Sequence, residues 1–341
     1  MNRSIGGWLR FIIRRVLLLS LALFGIVAFT FFATRKVGSP IFLMVGTEYS
    51  KEMLESAAQR LGMDKPIWIQ FGNYLKNLLQ GNLGVSRFTY NPVTFDLKKR
   101  IPATIELALF AFLLIVLWSI PVGILSGVKK NSFLDRIACG LSNVGVAVAQ
   151  FWLGLMLVYV FYFLLGWFPA PIGRIASNIA PPKHITGLYV IDSILTGNKA
   201  ALLSSLAHLF LPGVTLAFTV SPYIFFLVRA TTLQVLDSDF IVNARAFGLG
   251  SFVIGKYLAK NIAPPVLTIL GLNLALLFGG AVLVEVVFSW PGIGLYAVNA
   301  MHLSDYDPVI AVVLFSAVVL SVMYFIVDVV NALIDPRWRL S

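Results

Sequence analysis

Long apolar runs separated by polar segments dominate the chain. A membrane-spanning helix needs about 20 consecutive, mostly apolar residues. Six runs reach that length, which predicts an all-α, polytopic transmembrane bundle of six helices. The predicted spans cover residues 10–33, 103–128, 146–168, 206–229, 264–288 and 308–334. The first run is longer than the apolar region of a signal peptide and no A-x-A cleavage site follows it, so we interpret it as a retained anchor.

The composition agrees with a membrane protein. Of the 341 residues, 59% are hydrophobic and only 12% are charged, about half the charged share of a soluble protein. A single cysteine, Cys139, excludes an internal disulfide framework and a cysteine-based metal site. The three histidines (His184, His208 and His302) have no metal-binding spacing, and no nucleophile–base motif is present. We therefore expect this chain to bind no metal and no cofactor.

The net charge of +11 has two explanations, a nucleic-acid partner or an excess of basic residues in cytoplasmic loops. Thirteen of the 26 Lys and Arg lie near the two termini, in the connection between spans two and three, or in the connection between spans four and five. The two short connections on the other side of the membrane hold three. The other ten lie in segment 34–102, which is too long to set orientation. This asymmetry predicts cytoplasmic termini and no nucleic-acid partner. Because no organellar targeting segment is seen, we expect a bacterial plasma membrane.

Segment 34–102 has the pattern of a small helical subdomain on the outer face. Residues 47–66 place apolar side chains at helical spacing behind Thr47 or Ser50 as a possible N-cap. The run "IWIQFGNYLKNLLQG" repeats the pattern and ends at Gly81. Both helices are too polar to span, and they either pack over the bundle or dock a partner. The predicted organisation is a tail and first span (1–33), this subdomain, a five-span core (103–334) and a short cytoplasmic tail (335–341).

The cytoplasmic connection 230–263 is long for a helical bundle, in which 2–8 residues are usual. A first helix is expected to begin at Asp237, Ser238 or Asp239 and to end at Ala246, where Gly248 breaks it. Small side chains at Ala244 and Ala246 would let this helix seat in the groove of another protein. A second helix over 251–262 would lead to Pro264, where the next span starts.

The same connection contains "GSFVIGKY" (250–257), one residue away from the phosphate-binding motif G-x-x-x-x-G-K-[ST]. Tyr257 replaces the hydroxyl that would hold Mg²⁺, and no buried strand precedes the stretch. The sequence also contains no apolar strand that ends in an acidic residue, the Walker B element that accompanies a phosphate-binding loop. We therefore predict that this chain does not bind ATP.

Several stretches in order along the chain resemble the permeases of ABC importers, in the dipeptide/oligopeptide/nickel branch. The matching pieces are "GNLGVS" (81–86), "IPATIELAL" (101–109), "FSWPGIG" (288–294), "DYDP" (305–308) and "DPRWR" (335–339). Residues 243–248 resemble the coupling motif E-A-A-x-x-x-G at its second Ala and its Gly, with Val242 in place of Glu. Two further departures are Gln150, where the family often has Pro, and a second coupling helix with only Lys256 and Lys260 as basic residues.

The resemblance implies a type I importer permease and a set of partners. A second, similar permease would complete the pathway, two ATPase subunits carrying ATP and Mg²⁺ would dock below, and a solute-binding protein would deliver a short peptide from above. The residues implied in contact with an ATPase subunit are Asp239, Asn243, Ala244, Arg245, Ala246, Phe247 and Gly248. Nickel chelates, glutathione and peptide antibiotics are alternative substrates for the same architecture.

Acidic residues within spans are costly and are therefore functional candidates. Glu106 and Glu285 lie near the outer ends of their spans and Asp328 near an inner end. Glu106 is expected at the headgroup level or on the substrate pathway. Glu285 either faces the pathway and meets a peptide amine, has a structural partner such as Arg229, or lies at the interface. Asp328 is expected to pair with a basic group near the inner face.

Two other classes of membrane protein fit less well. A self-contained secondary transporter often has inverted repeats and central charges, and neither is evident in the sequence. An intramembrane enzyme would need catalytic groups that the sequence does not show. Surrounding lipid is the remaining expected partner.

Overall fold

The computed structural model describes residues 2–37 and 65–334. The described residues form α-helices joined by loops, with one isolated β-bridge between Val85 and Pro92. The helices are α1 Asn2–Val37, α2 Ile67–Leu79, α3 Val93–Val128, α4 Phe133–Ala147, α5 Gln150–Leu157, α6 Tyr189–Leu195, α7 Lys199–Leu236, α8 Asp239–Ala246, α9 Ser251–Val287, α10 Ile293–His302 and α11 Tyr306–Ile334. A π-helical segment, Val158–Leu164, continues α5.

Five described helices (α1, α3, α7, α9 and α11) are long and apolar enough to cross a membrane. A sixth span is possible if α4 and α5 with its π-helical continuation are taken together, because they meet at a bend of 108°. The predicted all-α polytopic bundle is therefore confirmed.

The third predicted span, 146–168, is not one straight helix. Val148 and Ala149 have extended backbone angles and separate α4 from α5, and the helical part ends at Leu164. Neither residue is Gly or Pro, so no breaker in the sequence marks this bend.

The second predicted cytoplasmic helix, 251–262, is also wrong as a separate element. α9 runs without interruption from Ser251 to Val287 and contains Pro264 and Pro265. Prolines are tolerated in membrane helices because neighbouring groups satisfy the freed carbonyls; here the hydroxyl of Thr268 donates to the Pro264 carbonyl at 3.0 Å. The helix is about 55 Å long at 1.5 Å per residue, so it extends well beyond a 30 Å hydrocarbon core.

The core lies where α3, α7 and α9 meet. Helices approach closely in membranes where residues are small. A Cβ added to Gly127 of α3 would lie 2.6 Å from the Thr232 side chain of α7, and one added to Gly123 would lie 2.8 Å from Val228. Substitution at either glycine would force α3 and α7 apart.

We use inner and outer as labels for the two ends of the bundle, following the orientation that the sequence predicts. In the outer segment, α2 confirms the second predicted amphipathic helix. Its end is a Schellman turn: Gly81 has φ +76°, its N–H donates to Leu78, and the N–H of Asn82 donates to Asn77. The first predicted outer helix lies outside the described residues. α2 packs on α1 through aromatic rings. This agrees with the first of its two predicted roles, packing on the bundle.

At the inner end, Asp328 of α11 pairs with Arg15 of α1 at 2.8 Å. The predicted pairing of Asp328 with a basic group is confirmed. Because this contact joins the early part of α1 to the late part of α11, the first and last helices have their chain-end halves on the same side of the bundle.

Candidate functional site

The helix α8 connects the inner ends of α7 and α9. It begins at Asp239 with Ser238 at the N-cap, although the Ser238 side chain makes no capping bond. It ends at Ala246 in a Schellman turn, in which the N–H of Gly248 donates to Arg245 at 2.9 Å and that of Leu249 donates to Ala244 at 3.1 Å. Gly248 has φ +76°, which disfavours any residue with a Cβ. Both predicted ends of this helix are confirmed.

Two side chains fix α8 to the bundle. Ile241 and Ala244 are buried, and the ring of Phe240 packs edge-on against Tyr257 of α9 at 6.4 Å between centroids. The other predicted coupling residues, Asp239, Asn243, Arg245, Ala246, Phe247 and Gly248, are exposed. Ala244 is packed inside this chain whereas Ala246 is exposed, so Ala246 is the better placed of the two for the predicted contact with another protein.

An apolar surface remains uncovered around α8. Phe247 is 85% exposed and Phe252, at the start of α9, is 78% exposed. Phe240, Val242 and Leu249 add further exposed apolar area. We call these five residues the docking face. Contiguous exposed apolar patches on a protein mark interaction sites, so the docking face indicates a protein partner at the inner end.

A buried carboxylate, Asp135, gathers several donors near the inner end of α7. Asp135 of α4 accepts hydrogen bonds from Arg229 of α7 at 2.7 and 2.9 Å, from the N–H of Asn131 at 2.9 Å and from the Ser126 hydroxyl. We call Ser126, Asn131, Asp135 and Arg229 the inner clasp. It ties the end of α3, the following turn and α4 to α7, seven residues before α7 ends at Leu236.

Sequence reasoning missed the inner clasp. The sequence offers Arg229 as a possible partner of Glu285, but in the structure Arg229 pairs with Asp135. A signal was present: Ser132 and Asp135 have the S-x-x-D spacing of a capping box, and the Ser132 hydroxyl accepts from the Asp135 N–H at 3.2 Å. The carboxylate of Asp135 binds Arg229, and the local sequence pattern does not predict this contact.

Glu285 is at the outer end of α9, where it caps α10. Its carboxylate accepts from the N–H groups of Gly294 and Leu295 at 2.7 and 3.0 Å and from the Thr104 hydroxyl at 2.5 Å. The first N–H groups of a helix lack partners within it, and Glu285 supplies the acceptor that an N-cap side chain would give. Its residue exposure is 0%, so in this conformation the carboxylate does not face a pathway, a peptide amine or headgroups.

The two glycines of "WPGIG" permit this arrangement. A Cβ on Gly292 would collide with the Glu285 carboxylate, and one on Gly294 would lie 2.7 Å from the Val282 backbone. The indole N–H of Trp290 donates to the Ala103 carbonyl at 2.8 Å, and the Ile293 N–H donates to Thr104. Two stretches that carried the family resemblance, 101–109 and 288–294, are thus in direct contact.

Glu106 binds the outer loop between α5 and α7. Its carboxylate accepts from Arg174 at 2.5 and 3.1 Å and from the Val190 N–H at 2.7 Å. Both side chains are 6% exposed, and the guanidinium of Arg174 also stacks over the Tyr189 ring at 3.7 Å. Glu106 is therefore held in a buried ion pair within the chain and not at a hydrated surface.

Asp192 of α6 organises the same loop. Burial raises its pKa, but hydrogen bonds from Thr186 and from the backbone N–H groups of Ile185 and Gly187 outweigh burial, so the pKa of Asp192 lies below its usual value. The carboxylate therefore stays ionised at neutral pH. The described residues contain no group of three His, Cys, Asp or Glu that could hold a metal ion.

Two further acids join the outer segment to α10 and the start of α11. Asp305 accepts from the Ser86 hydroxyl at 2.8 Å and from the Arg87 N–H at 2.7 Å. Asp96 accepts from the phenol of Tyr296 at 2.9 Å. Burial, and then the bond to Asp96, raise the pKa of Tyr296 above its usual value, so the phenol remains a donor.

These contacts define one outer assembly, formed by residues 81–109 and 285–308. It contains four of the five stretches that resemble importer permeases; the fifth, 335–339, lies outside the described residues. The assembly holds α10 across the outer ends of α3 and α9. Its acids are used for internal contacts between distant parts of the chain.

At the bend of the third span, Gln150 is the first residue of α5, and its side-chain amide donates to Thr219 of α7 at 3.3 Å. Pro is favourable at the first position of a helix, and it requires an extended residue before it. Ala149 already has φ −66° and ψ 131°. A proline at position 150 therefore fits this backbone.

We accordingly expect Gln150→Pro to leave membrane insertion and thermal stability nearly unchanged, within about 1 kcal/mol, because the backbone is already compatible. The measurement is the melting temperature of the purified protein in detergent, with Gln150→Ala as the control for loss of the Thr219 contact. A fall in melting temperature far beyond that of the Ala variant would contradict this account of the bend.

Comparison with known proteins agrees with the geometry. The family model "Binding-protein-dependent transport system inner membrane component" matches residues 119–340, and its N-terminal companion model matches 8–108. The chain is 38% identical to the dipeptide transport system permease protein DppB of Alkalihalophilus pseudofirmus, over 96% of this chain and 99% of the relative. It is 38% identical to the probable D,D-dipeptide permease DdpB of Escherichia coli, over 94% of each. The glutathione permease GsiC of Escherichia coli is 30% identical over 97% and 99%.

Proposed function

Because the chain belongs to the family of binding-protein-dependent transport system inner membrane components, we propose that it forms half of the translocation pathway of an ATP-driven importer of short peptides. Membership makes it a multi-pass inner-membrane transport subunit, not an enzyme. The observation that carries the finer proposal is the nearly full-length similarity to two dipeptide permeases. Similarity over the whole length includes both the outer assembly and the docking face.

The substrate class follows from what these relatives share. Their names refer to dipeptides, D,D-dipeptides and glutathione, all of which are small peptidic molecules. Identity is higher with the dipeptide permeases than with the glutathione permease. We therefore propose short peptides as the substrate and retain glutathione as the second candidate.

The docking face supports a role in coupling. It lies on α8, which is held between α7 and α9, helices of 38 and 37 residues. A force applied to α8 is passed to both helices, because Ile241 and Ala244 are packed and Phe240 contacts Tyr257. ATP would act from a partner ATPase by binding one arrangement of the complex better than the other. ATP and Mg²⁺ belong to that partner.

The proposed complex contains this chain, a second permease, two ATPase subunits and a solute-binding protein. The partner ATPase covers the docking face, and the solute-binding protein approaches the side that carries the outer assembly. Both termini are proposed to be cytoplasmic. This orientation is supported by the distribution of Lys and Arg and by the Arg15–Asp328 contact between the first and last helices.

The experiment is peptide uptake into proteoliposomes that contain this chain with candidate permease, ATPase and solute-binding proteins from the same organism. We expect ATP-dependent accumulation of a radiolabelled dipeptide and little competition by equimolar glutathione. Accumulation of glutathione without dipeptide would favour the second candidate. Uptake by this chain without ATP or an ATPase would refute the importer and favour a self-contained transporter.

A further inference from the structure

The short helix α2 is anchored to the first span by aromatic rings. The ring of Phe71 lies 6.0 Å from Phe24, 5.2 Å from Phe31 and 5.6 Å from Phe32 between centroids. Tyr74 adds a contact to Phe31 at 5.3 Å. The side of α2 that carries Phe71 and Tyr74 is therefore fixed against α1.

This contact lies at membrane depth. Phe24, Phe31 and Phe32 all fall inside the apolar window Ile12–Ala33 of α1. Phe24 precedes the end of that window by nine residues, about 14 Å of helix. A ring that touches both Phe24 and Phe31 lies well below the outer end of the span. In a hydrocarbon core about 30 Å thick, that level is within the outer leaflet.

The apolar side of α2 is wider than its contact with α1. On a helical wheel of 100° per residue, Trp68 and Leu79 lie about 60° and 80° from Phe71. Trp68 touches Phe32 with one edge yet is 71% exposed, and Leu79 is 88% exposed. The neighbouring surface of α1 is also exposed and apolar, with Phe29 at 73%. The apolar side of α2 thus extends beyond its contact with α1, through Trp68 and Leu79.

The opposite side of α2 carries its exposed polar residues, with Ile69, 49% exposed, as an apolar residue among them. Asn73 and Lys76 lie about 160° and 140° from Phe71 on the same wheel, and both are exposed. An apolar side with Trp and a polar side with Lys is the composition of helices that lie in a membrane interface. A water-soluble protein cannot reach a surface at the depth of Phe24, so lipid is the occupant that fits Trp68 and Leu79.

We propose that α2 is an interfacial helix, partly immersed in the outer leaflet, with Trp68 and Leu79 against acyl chains and with Asn73 and Lys76 toward water. The helix fixes the height of the outer segment that follows it. This surface is distinct from the outer assembly and from the docking face, and it does not depend on the identity of the transported substrate.

The test is site-directed spin labelling in lipid nanodiscs. The lone cysteine is removed (Cys139→Ser), and single cysteines are introduced as Trp68→Cys, Leu79→Cys, Asn73→Cys and Lys76→Cys. Nitroxide relaxation is measured with oxygen, which concentrates in hydrocarbon, and with a nickel chelate, which stays in water. Phe29→Cys gives the value for a lipid-facing position on α1.

We expect labels at 68 and 79 to resemble the label at 29, with oxygen the more effective relaxer, and labels at 73 and 76 to be relaxed mainly by the nickel chelate. Equal access of the chelate at all four positions of α2 would overturn the proposal. Shielding of 68 and 79 from both reagents would also overturn it, because a protein would then cover this surface. Since Leu79 is 88% exposed, that label remains informative if the Trp68 variant fails to assemble.

Discussion

Phe247→Asp should abolish ATP-driven uptake while leaving membrane insertion and thermal stability unchanged. The side chain is 85% exposed, so the isolated chain loses almost no packing when it is replaced. In the complex we expect it to be buried against an ATPase subunit, where exposed aromatic side chains often carry 2 kcal/mol or more of binding free energy, roughly a thirtyfold change in affinity. A carboxylate at the same place would have to be desolvated as well.

The matched control is Phe247→Leu, which keeps an apolar side chain of similar reach. We expect it to retain most of the uptake and most of the co-purified ATPase. Ala246→Glu is a second test on an exposed residue, and Ala244→Glu is its buried counterpart, expected to reduce the melting temperature as well as uptake. Wild-type uptake by Phe247→Asp, measured in the same proteoliposomes, would exclude α8 as the contact with the ATPase.

The coupling proposal assigns different tasks to the two ends of the molecule. At the inner end, apolar side chains are left exposed on α8, while the inner clasp fixes α4 to α7 with a buried carboxylate and Arg229. At the outer end, Glu285, Glu106, Asp96 and Asp305 are all engaged in contacts within the chain. Because contacts within the chain hold the loops at both ends of the bundle, a displacement of α8 is expected to move whole helices and not to bend them locally.

The sequence predicts the spans and the ends of α8 well because each depends on local physics. A bilayer of fixed thickness imposes the length of an apolar run, and a glycine such as Gly248 ends a helix wherever it adopts positive φ. The bend at Val148 and the uninterrupted course of α9 through Pro264 were not predictable in this way. In both places tertiary packing outweighs local preference, since no Gly or Pro marks the first and two prolines fail to interrupt the second.

The partners of the acids were beyond local reasoning. Glu106 and Arg174 are 68 residues apart, and Thr104 and Glu285 are 181 residues apart. Periodicity identifies which acids lie within spans, but the identity of a distant partner depends on how the helices are arranged. The sequence-based hypotheses for Glu106 therefore named only the environment of its own span. For Glu285 the suggested distant partner was Arg229, whereas the structure places Thr104 and the start of α10 on Glu285 and pairs Arg229 with Asp135.

Glu285→Ala should destabilise the protein strongly, whereas Glu285→Gln should have a small effect. Alanine leaves the N–H groups of Gly294 and Leu295 and the Thr104 hydroxyl without their acceptor, and each buried unsatisfied group costs about 1–3 kcal/mol. Glutamine keeps one oxygen for the two N–H groups. We expect the melting temperature in detergent to fall by roughly 5–10 °C for alanine and by far less for glutamine.

Uptake kinetics separate this structural role from recognition of a peptide amine. If Glu285 caps α10, then Glu285→Gln should transport at close to the wild-type rate, and the loss in Glu285→Ala should parallel its loss of folded protein. If the carboxylate instead binds the substrate amine, glutamine should raise KM without lowering the melting temperature, because the charge is lost while the cap is kept. That second result would show that the buried contact in this conformation opens during transport and would return Glu285 to the pathway.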